Sequence, residues 1–240
     1  MVRQKDYILV CGIILAFLFV PLVAGGMEAA GAGERRQRLG EKITYGVILG
    51  KMRLGEAKFE DMGPTELNGR KVNLIIFKTN VVNFSDTENI YSDPDSYLPV
   101  RIERDISNFF GHEKITEDYD QKNHRVTITK NKGKNQEQVV IAGTGPLHNA
   151  ILFPDYVREI PDLKIGMVFS VNLPGKAPLK VKIVSIDKLR TPVGRFEAFH
   201  FESAPKQISV WISTDSRRIP IKIEGVGVFG YTLLLKNYNP

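Results

Sequence analysis

From Glu41 onward, apolar and polar side chains exchange places every second residue over short runs, and each run ends in a polar or glycine-containing corner. In EKITYGVILG, residues 41–50, Ile43, Tyr45, Val47 and Leu49 share one face, as in a strand half buried in a sheet. The chain then turns back through Lys51-Met52-Arg53. Asn68-Gly69 is the pair best able to take positive φ at both centres of a two-residue hairpin, so strands are predicted on either side of it. Asp93-Pro94-Asp95 marks a turn ahead of a strand from Pro99 to Ile106. HEKITEDYD, RVTITKN and EQVVIAG read as three further strands, joined by polar corners at 121–124 and 131–135. The last third supplies MVFSVNLP, PLKVKIVSIDKL, RFEAFHFES, ISVWIST, IPIKIEG and FGYTLLLKN. Thr191-Pro192-Val193-Gly194, with proline second and glycine fourth, predicts a type I turn between two of these.

One segment breaks the period. In LHNAILFPDYVREIPDLKIG, Ile151, Leu152 and Tyr156 are not spaced by two, Asn149 is a candidate cap, and Pro154 requires a helix to begin near it or kink. One short, irregular helix near 149–158 is the expectation. VWISTDSRRIP, residues 210–220, raises a different question, because it sets the sole tryptophan close to an acid and two arginines. Val210 and Ile212 alternate with Trp211 and Ser213 before it, and Ile219, Ile221 and Ile223 alternate with Pro220, Lys222 and Glu224 after it. Asp215-Ser216 supplies side-chain oxygens that favour turns, so Asp215–Arg218 is predicted to build a corner between strands.

Ahead of the β pattern stands a different text. Arg3 and Lys5 precede an apolar run from Tyr7 to Ala24, followed by small residues, the order of a secretory signal. Cleavage after Ala24, Gly26 or Ala32 fits that order; the rival reading is an uncleaved anchor over residues 7–24, close to the roughly 20 apolar residues that span a bilayer. Residues 1–32 are therefore assigned to a signal peptide or N-terminal anchor, 33–40 to a linker and 41–238 to a single β domain. Cys11, preceded by Val10, lacks a lipobox, and it is the sole cysteine. The remainder holds no thiol, which excludes disulfides, cysteine–zinc sites and a cysteine nucleophile. A periplasmic or cell-envelope location follows from export. There, the net charge of +6 points either to a solvated basic surface with no partner or to anionic lipid head groups or acidic polysaccharides, rather than to nucleic acid.

Motifs that carry chemistry elsewhere fail here on context. GVGVFG, residues 225–230, matches the dinucleotide pattern but is followed by another β-like run and no helix. HEKIT lacks the second histidine of a zincin, and the four histidines have no ligand spacing. SAPK, residues 203–206, carries Pro205 where a helical turn is needed. Asp93/Asp95 and Asp118/Asp120 each place two carboxylates on one strand face about 7 Å apart, a separation some glycosidases use, but in polar surroundings. No cofactor and no metal are expected.

GEKITYGVILGKMRLGEA, NIYSDPDSYLPVRIERDI, LRTPVGRFEAFHF and VWISTDSRRIPIKIE together resemble the bacterial exported domain-of-unknown-function family 3108, over residues 40 to 235. Its firmest part is the ordered pair Thr191–Phe196 and Trp211–Pro220. The resemblance implies a mostly antiparallel β domain in the envelope and brings no catalytic residues with it. A looser analogy of fold is to periplasmic lipoprotein carriers, whose curved sheet wraps a helix.

The expected fold is thus all-β: a single curved antiparallel sheet forming a partial barrel, with one short helix. The expected function is that of a non-enzymatic binding or assembly module whose concave face takes a lipid or other apolar, acyl-bearing ligand. Trp211, Arg217 and Arg218 are candidate rim residues, the arginines meeting an anionic head group. The alternative is a structural or protein–protein module of the envelope, which predicts a hollow packed with its own side chains. An enzyme acting on envelope polymers ranks third.

Overall fold

The computed structural model describes residues 38–225 and 230–240. The segment read as a signal peptide or anchor, Cys11, most of the predicted linker 33–40 and most of GVGVFG lie outside the described residues. The strands are β1 (Lys42–Leu49), β2 (Met52–Leu67), β3 (Arg70–Val81), β4 (Phe84–Ser92), β5 (Pro99–Asn108), β6 (Gly111–Asp120), β7 (Arg125–Lys132) and β8 (Asn135–Ala142). After a helix, α1 (Phe153–Arg158), follow β9 (Val168–Val171), β10 (Leu179–Thr191), β11 (Gly194–Ala204), β12 (Ile208–Ser213), β13 (Pro220–Gly225) and β14 (Tyr231–Asn239).

Among the described residues, 14 strands form one sheet in the order β8-β7-β6-β5-β4-β3-β2-β1-β14-β13-β12-β11-β10-β9. Every neighbouring pair is antiparallel, and the first and last strands meet in the middle of the sheet, from Lys42 opposite Asn239 to Leu49 opposite Tyr231. The free edges are therefore β8 and β9, and the barrel stays open between them. Both edges are poor templates for a stray strand: β9 has four residues, and β8 is polar over its first half.

Local chemistry sets the corners. Asn68 and Gly69 have φ of 51° and 79°, the two positive values that the β2–β3 hairpin requires. The first hairpin turns at Gly50-Lys51, one residue earlier than the sequence pattern suggests, because Gly50 takes a φ of 60° and leaves Met52 free to pair with Leu49. At β10–β11, Thr191 opposes Gly194 and its hydroxyl accepts the Val193 N–H at 3.2 Å. The helix starts beside Pro154, where the missing N–H costs nothing. Asn149 does not cap it; its side chain accepts from the N–H groups of Ile151 and Leu152, in the turn before.

The segment between β8 and β9 crosses the open side and lays α1 inside the curl. Gln121 holds one flank of it, its amide accepting from the Leu147 N–H and donating to the Leu147 carbonyl, both at 2.9 Å. His148 ties the other flank, its N–H donating to the Asn172 carbonyl at 2.7 Å. Phe153, Val157 and Ile160 pack with Phe169, Val181, Ile183 and Phe201 of β9–β11. Leu152, on the other side, packs with Ile43, Tyr45, Phe59, Phe77 and Leu233 of β1–β3 and β14. A six-residue helix reaches both walls only because the sheet curls around it.

Two glycines test the strand register. A Cβ on Gly55 would fall 2.0 Å from the Asn80 carbonyl oxygen, whereas one on Gly46 would find nothing nearer than 3.9 Å. Gly55→Ala is expected to destabilise by about 1–3 kcal/mol, the cost of overpacking, and Gly46→Ala to cause no loss. Calorimetric melting of the two variants checks this; equal effects would show that β2 and β3 are not in this register.

Candidate functional site

A cluster of buried charges and hydrogen bonds forms at the junction of α1 with the corner predicted at Asp215–Arg218. Glu41, just ahead of β1, and Arg158, at the end of α1, are both buried and pair bidentately, at 2.5 and 2.7 Å. Tyr238 of β14 donates to the same Glu41 carboxylate at 3.0 Å. Asp155 lies 3.3 Å from Arg158, and Arg38 pairs with Glu159. Arg158 also donates to the Arg217 carbonyl at 3.3 Å, Arg218 donates to the Ile160 carbonyl, and Tyr45 donates to the Pro220 carbonyl at 3.1 Å. Helix, both central strands and corner thus meet in one cluster. Burial pushes the Asp155 carboxyl up to about 6 against the pull of Arg158 and Arg38.

The corner itself is built by Asp215. One carboxylate oxygen accepts the N–H groups of Arg217 and Arg218 at 3.0 and 3.3 Å and the Ser213 hydroxyl at 3.0 Å. The other pairs with the Arg217 guanidinium at 2.6 Å, which also lies 5.9 Å from the Tyr238 ring centre. Arg217 is half exposed, while Arg218 is turned inward on a φ of 50°. Trp211 is 6% exposed. Its indole N–H donates to Asp187 at 2.8 Å, its ring stacks on His200 with centroids 4.2 Å apart, and the Lys222 ammonium sits 4.4 Å from the ring. The three rim candidates are therefore not brought together: Trp211 anchors a separate cluster on β10–β13.

That cluster contains Ser185, His200 and Asp187, the residue types of a hydrolytic triad. Ser185 and Asp187 both face Nδ1 of His200, at 3.4 and 3.3 Å, and Ser185 donates to Asp187 at 2.8 Å. A triad needs the nucleophile on one ring nitrogen and the orienting acid on the other. The arrangement fixes Trp211 and has no nucleophile–base axis.

A second group of charges lies on the inner face of β4–β6. Phe77 opposes Glu88, and Glu88 opposes Arg104, so both charged residues point to the core side. Arg104 pairs with Asp86 and lies 3.6 Å from Glu88, while Tyr119 donates to Glu117 at 2.6 Å. Burial, reinforced by Asp86 and Glu117 and opposed by Arg104, pushes the Glu88 carboxyl up to about 7. Sequence inspection passed over this group, although Asp86, Glu88 and Ile90 share a period-two face that marks it.

The hollow is nearly full. Between α1 and the wall formed by Ile43, Tyr45, Phe59 and Phe77 remains a cavity of about 50 Å³. A polar cleft of about 360 Å³ opens between Lys42, Lys58, Glu60 and Asn237, where the start of β1 and the end of β14 lie beside the middle of β2.

The remaining motifs serve as structural ties. Asp93 accepts the N–H groups of Asp95 and Ser96 and pairs with Arg70 at 2.8 Å. Asp118 pairs with Arg101 at 2.7 Å, and Asp120 caps the turn at Gln121–Asn123 and pairs with Arg125. His112 lies on a strand beside Asp105, and Ser203 closes the β11–β12 turn by accepting from Gln207 and Ile208. Among the described residues, no group of three histidines or carboxylates is placed to hold a metal ion.

An open, β-barrel-like sheet around a short helix defines the class of fold, and it is shared. A beta-barrel-like protein of domain of unknown function DUF1849 from Brucella abortus is similar over 84% of this chain and 97% of its own, with a TM-score of 0.51 and 8% identity. The chain belongs to the DUF3108 family, described as a protein of unknown function, whose model matches residues 42–236. No curated protein matches the chain.

The inner charges give a pH prediction. For Glu88, folding raises the carboxyl from 4.5 to about 7, so the folded form holds the proton more tightly. Its contribution to stability is complete below pH 4.5 and is lost as pH rises through 7. His148 and His200, both lowered by burial, act in the opposite sense below about 6.5. The comparison is therefore between variants: Glu88→Gln is expected to remove part of the fall in melting temperature between pH 6 and 8. Parallel pH profiles for Glu88→Gln and the parent chain would contradict a buried, proton-holding Glu88.

Proposed function

We propose that the protein is a non-enzymatic, exported module of the cell envelope that acts by binding through its outer surface, rather than by enclosing a ligand. The observation that carries this reading is the filled hollow. A cavity of about 50 Å³ has room for one or two waters, whereas ligand pockets run to about 300–1,000 Å³. The space an acyl chain needs is taken by Leu152, Phe153 and Val157 from the chain's own helical segment. Of the four acids that offered a catalytic reading, Asp93, Asp118 and Asp120 are committed to an arginine or a turn, and Asp95 donates its backbone N–H to Asp93 in the same turn, which supports a module without chemistry of its own. Export rests on the charged, apolar and small-residue order of the first 32 residues.

A second reading keeps the concave face as a lipid site and makes α1 a removable plug. Its support is the apolar lining of the residual cavity, which includes Tyr231 and Leu233. Native mass spectrometry of the protein purified from its own host separates the two. Surface binding predicts the mass of the bare chain and no response to fluorescent fatty acyl probes. A stoichiometric acyl-bearing adduct would overturn it in favour of the plug.

A further inference from the structure

The first eight strands are joined by four odd-to-even hairpins, β1–β2, β3–β4, β5–β6 and β7–β8, which all lie along one end of the sheet. Registers keep the two middle tips level, with Phe84 opposite Asn108; Lys114, three residues past Gly111, opposes Asn131, so the β7–β8 tip is recessed by about two residues, and Gly55 opposes Val81, so the β1–β2 tip reaches about three residues farther out. What these tips present is unusual for a surface. Phe109 and Phe110 are 85% and 81% exposed, Val82 is 72% exposed and Met52 is 62% exposed.

The phenylalanines are held out, not left loose. Asn108 accepts the Phe110 N–H at 2.8 Å, Gly111 completes the turn with a φ of 124°, and the two rings meet edge to face at 5.7 Å. Each ring thus protrudes on a two-residue loop with no groove around it. Tips of neighbouring hairpins are separated by two strands, or about 10 Å, so the apolar residues form a short row.

Charge flanks the row on both sides. Lys51 and Arg53 stand at the β1–β2 tip and Lys132 and Lys134 at the β7–β8 tip, all exposed. No acid occurs in the four tips, 50–53, 82–83, 108–111 and 132–135. Protruding apolar side chains between basic shoulders match a lipid–water boundary carrying negative head groups: the rings enter the acyl region while the lysines stay at head-group level. A protein groove would instead call for a shape-matched rim, and nothing surrounds Phe109 and Phe110 to supply one.

We propose that this hairpin end docks the protein onto an anionic bilayer surface, with Phe109 and Phe110 inserting and Lys51, Arg53, Lys132 and Lys134 meeting the head groups. The proposal takes up the surface-binding reading and names one partner for it. An enclosed acyl ligand would overturn that reading and leave this docking end intact, so the two fail separately.

The test is read at the tip itself, so that membrane insertion by residues 7–24 does not contribute. The full chain with Cys11→Ala and Phe110→Cys carries an environment-sensitive fluorophore at position 110; a second chain carries it through Val193→Cys, at the β10–β11 turn. Vesicles of phosphatidylcholine with phosphatidylglycerol, doped with doxyl-labelled lipid, are expected to shift the first probe to the blue and quench it. The second probe stays unchanged. Adding Lys132→Glu and Lys134→Glu is expected to raise the anionic lipid needed for half-maximal quenching at least about tenfold, since each lysine near such a surface contributes about a factor of five. A probe at 110 that stays in water on these vesicles, or responds equally to phosphatidylcholine alone, would overturn the proposal. Unchanged quenching after the two lysine reversals would do the same. Circular dichroism of each labelled chain keeps misfolding from passing as loss of docking.

Discussion

The bidentate pair between Arg158 and Glu41 fixes the architecture, because it joins α1 to the middle of the open sheet, where the first and last strands, β1 and β14, pair. Relative to an apolar pair of the same volume, a buried ion pair adds little net stability, since both charges lose their water. What it imposes is position. Guanidinium and carboxylate match in one orientation, and Tyr238, Asp155 and the Arg217 carbonyl occupy further hydrogen-bonding positions around them. With Arg158 so placed, Val157 and Phe153 can only face β9–β12, and Leu152 can only face β1–β3 and β14. The interior of the barrel is thereby filled by the chain's own segment.

A filled interior moves the question of function outward. The basic excess, the polar cleft beside Lys42 and Lys58, and the row of apolar hairpin tips all lie where a partner can reach them. The inner charges of β4–β6 belong to a different level. Three carboxylates around Arg104 in burial leave a deficit of positive charge, which a proton on Glu88 relieves near neutral pH. That makes the stability of this half of the sheet responsive to pH.

Much of the sheet was legible in residue order because its determinants are local. Alternation of Ile43, Tyr45 and Val47, the Asn68-Gly69 pair and the side-chain oxygens of Asp215 each act within a few residues, and each produced the predicted strand or corner. Pro154 likewise marked the start of the helix. The determinants that were not legible act at a distance. Glu41 and Arg158 are separated by 117 positions, and β1 meets β14 across nearly the whole domain. Trp211, Arg217 and Arg218 are neighbours in sequence, yet alternation and the corner send the tryptophan to one cluster and the arginines to another. Phe109-Phe110 carried a signal that was available, since two aromatic residues in a two-residue hairpin loop have no core within reach.

Amide hydrogen exchange over residues 147–167 measures most directly whether the helical segment is a permanent part of the core. Tyr156 donates its N–H to the Leu152 carbonyl at 3.0 Å, and Ile160 to that of Val157 at 3.2 Å. If the ion pair and both core clusters hold the segment in place, these amides exchange only on global unfolding, at the rate of Tyr45 and Leu235 in the central strands. Exchange orders of magnitude faster than those strands, at conditions where the sheet stays protected, would show that the helix leaves the hollow on its own and that the interior is open to a ligand.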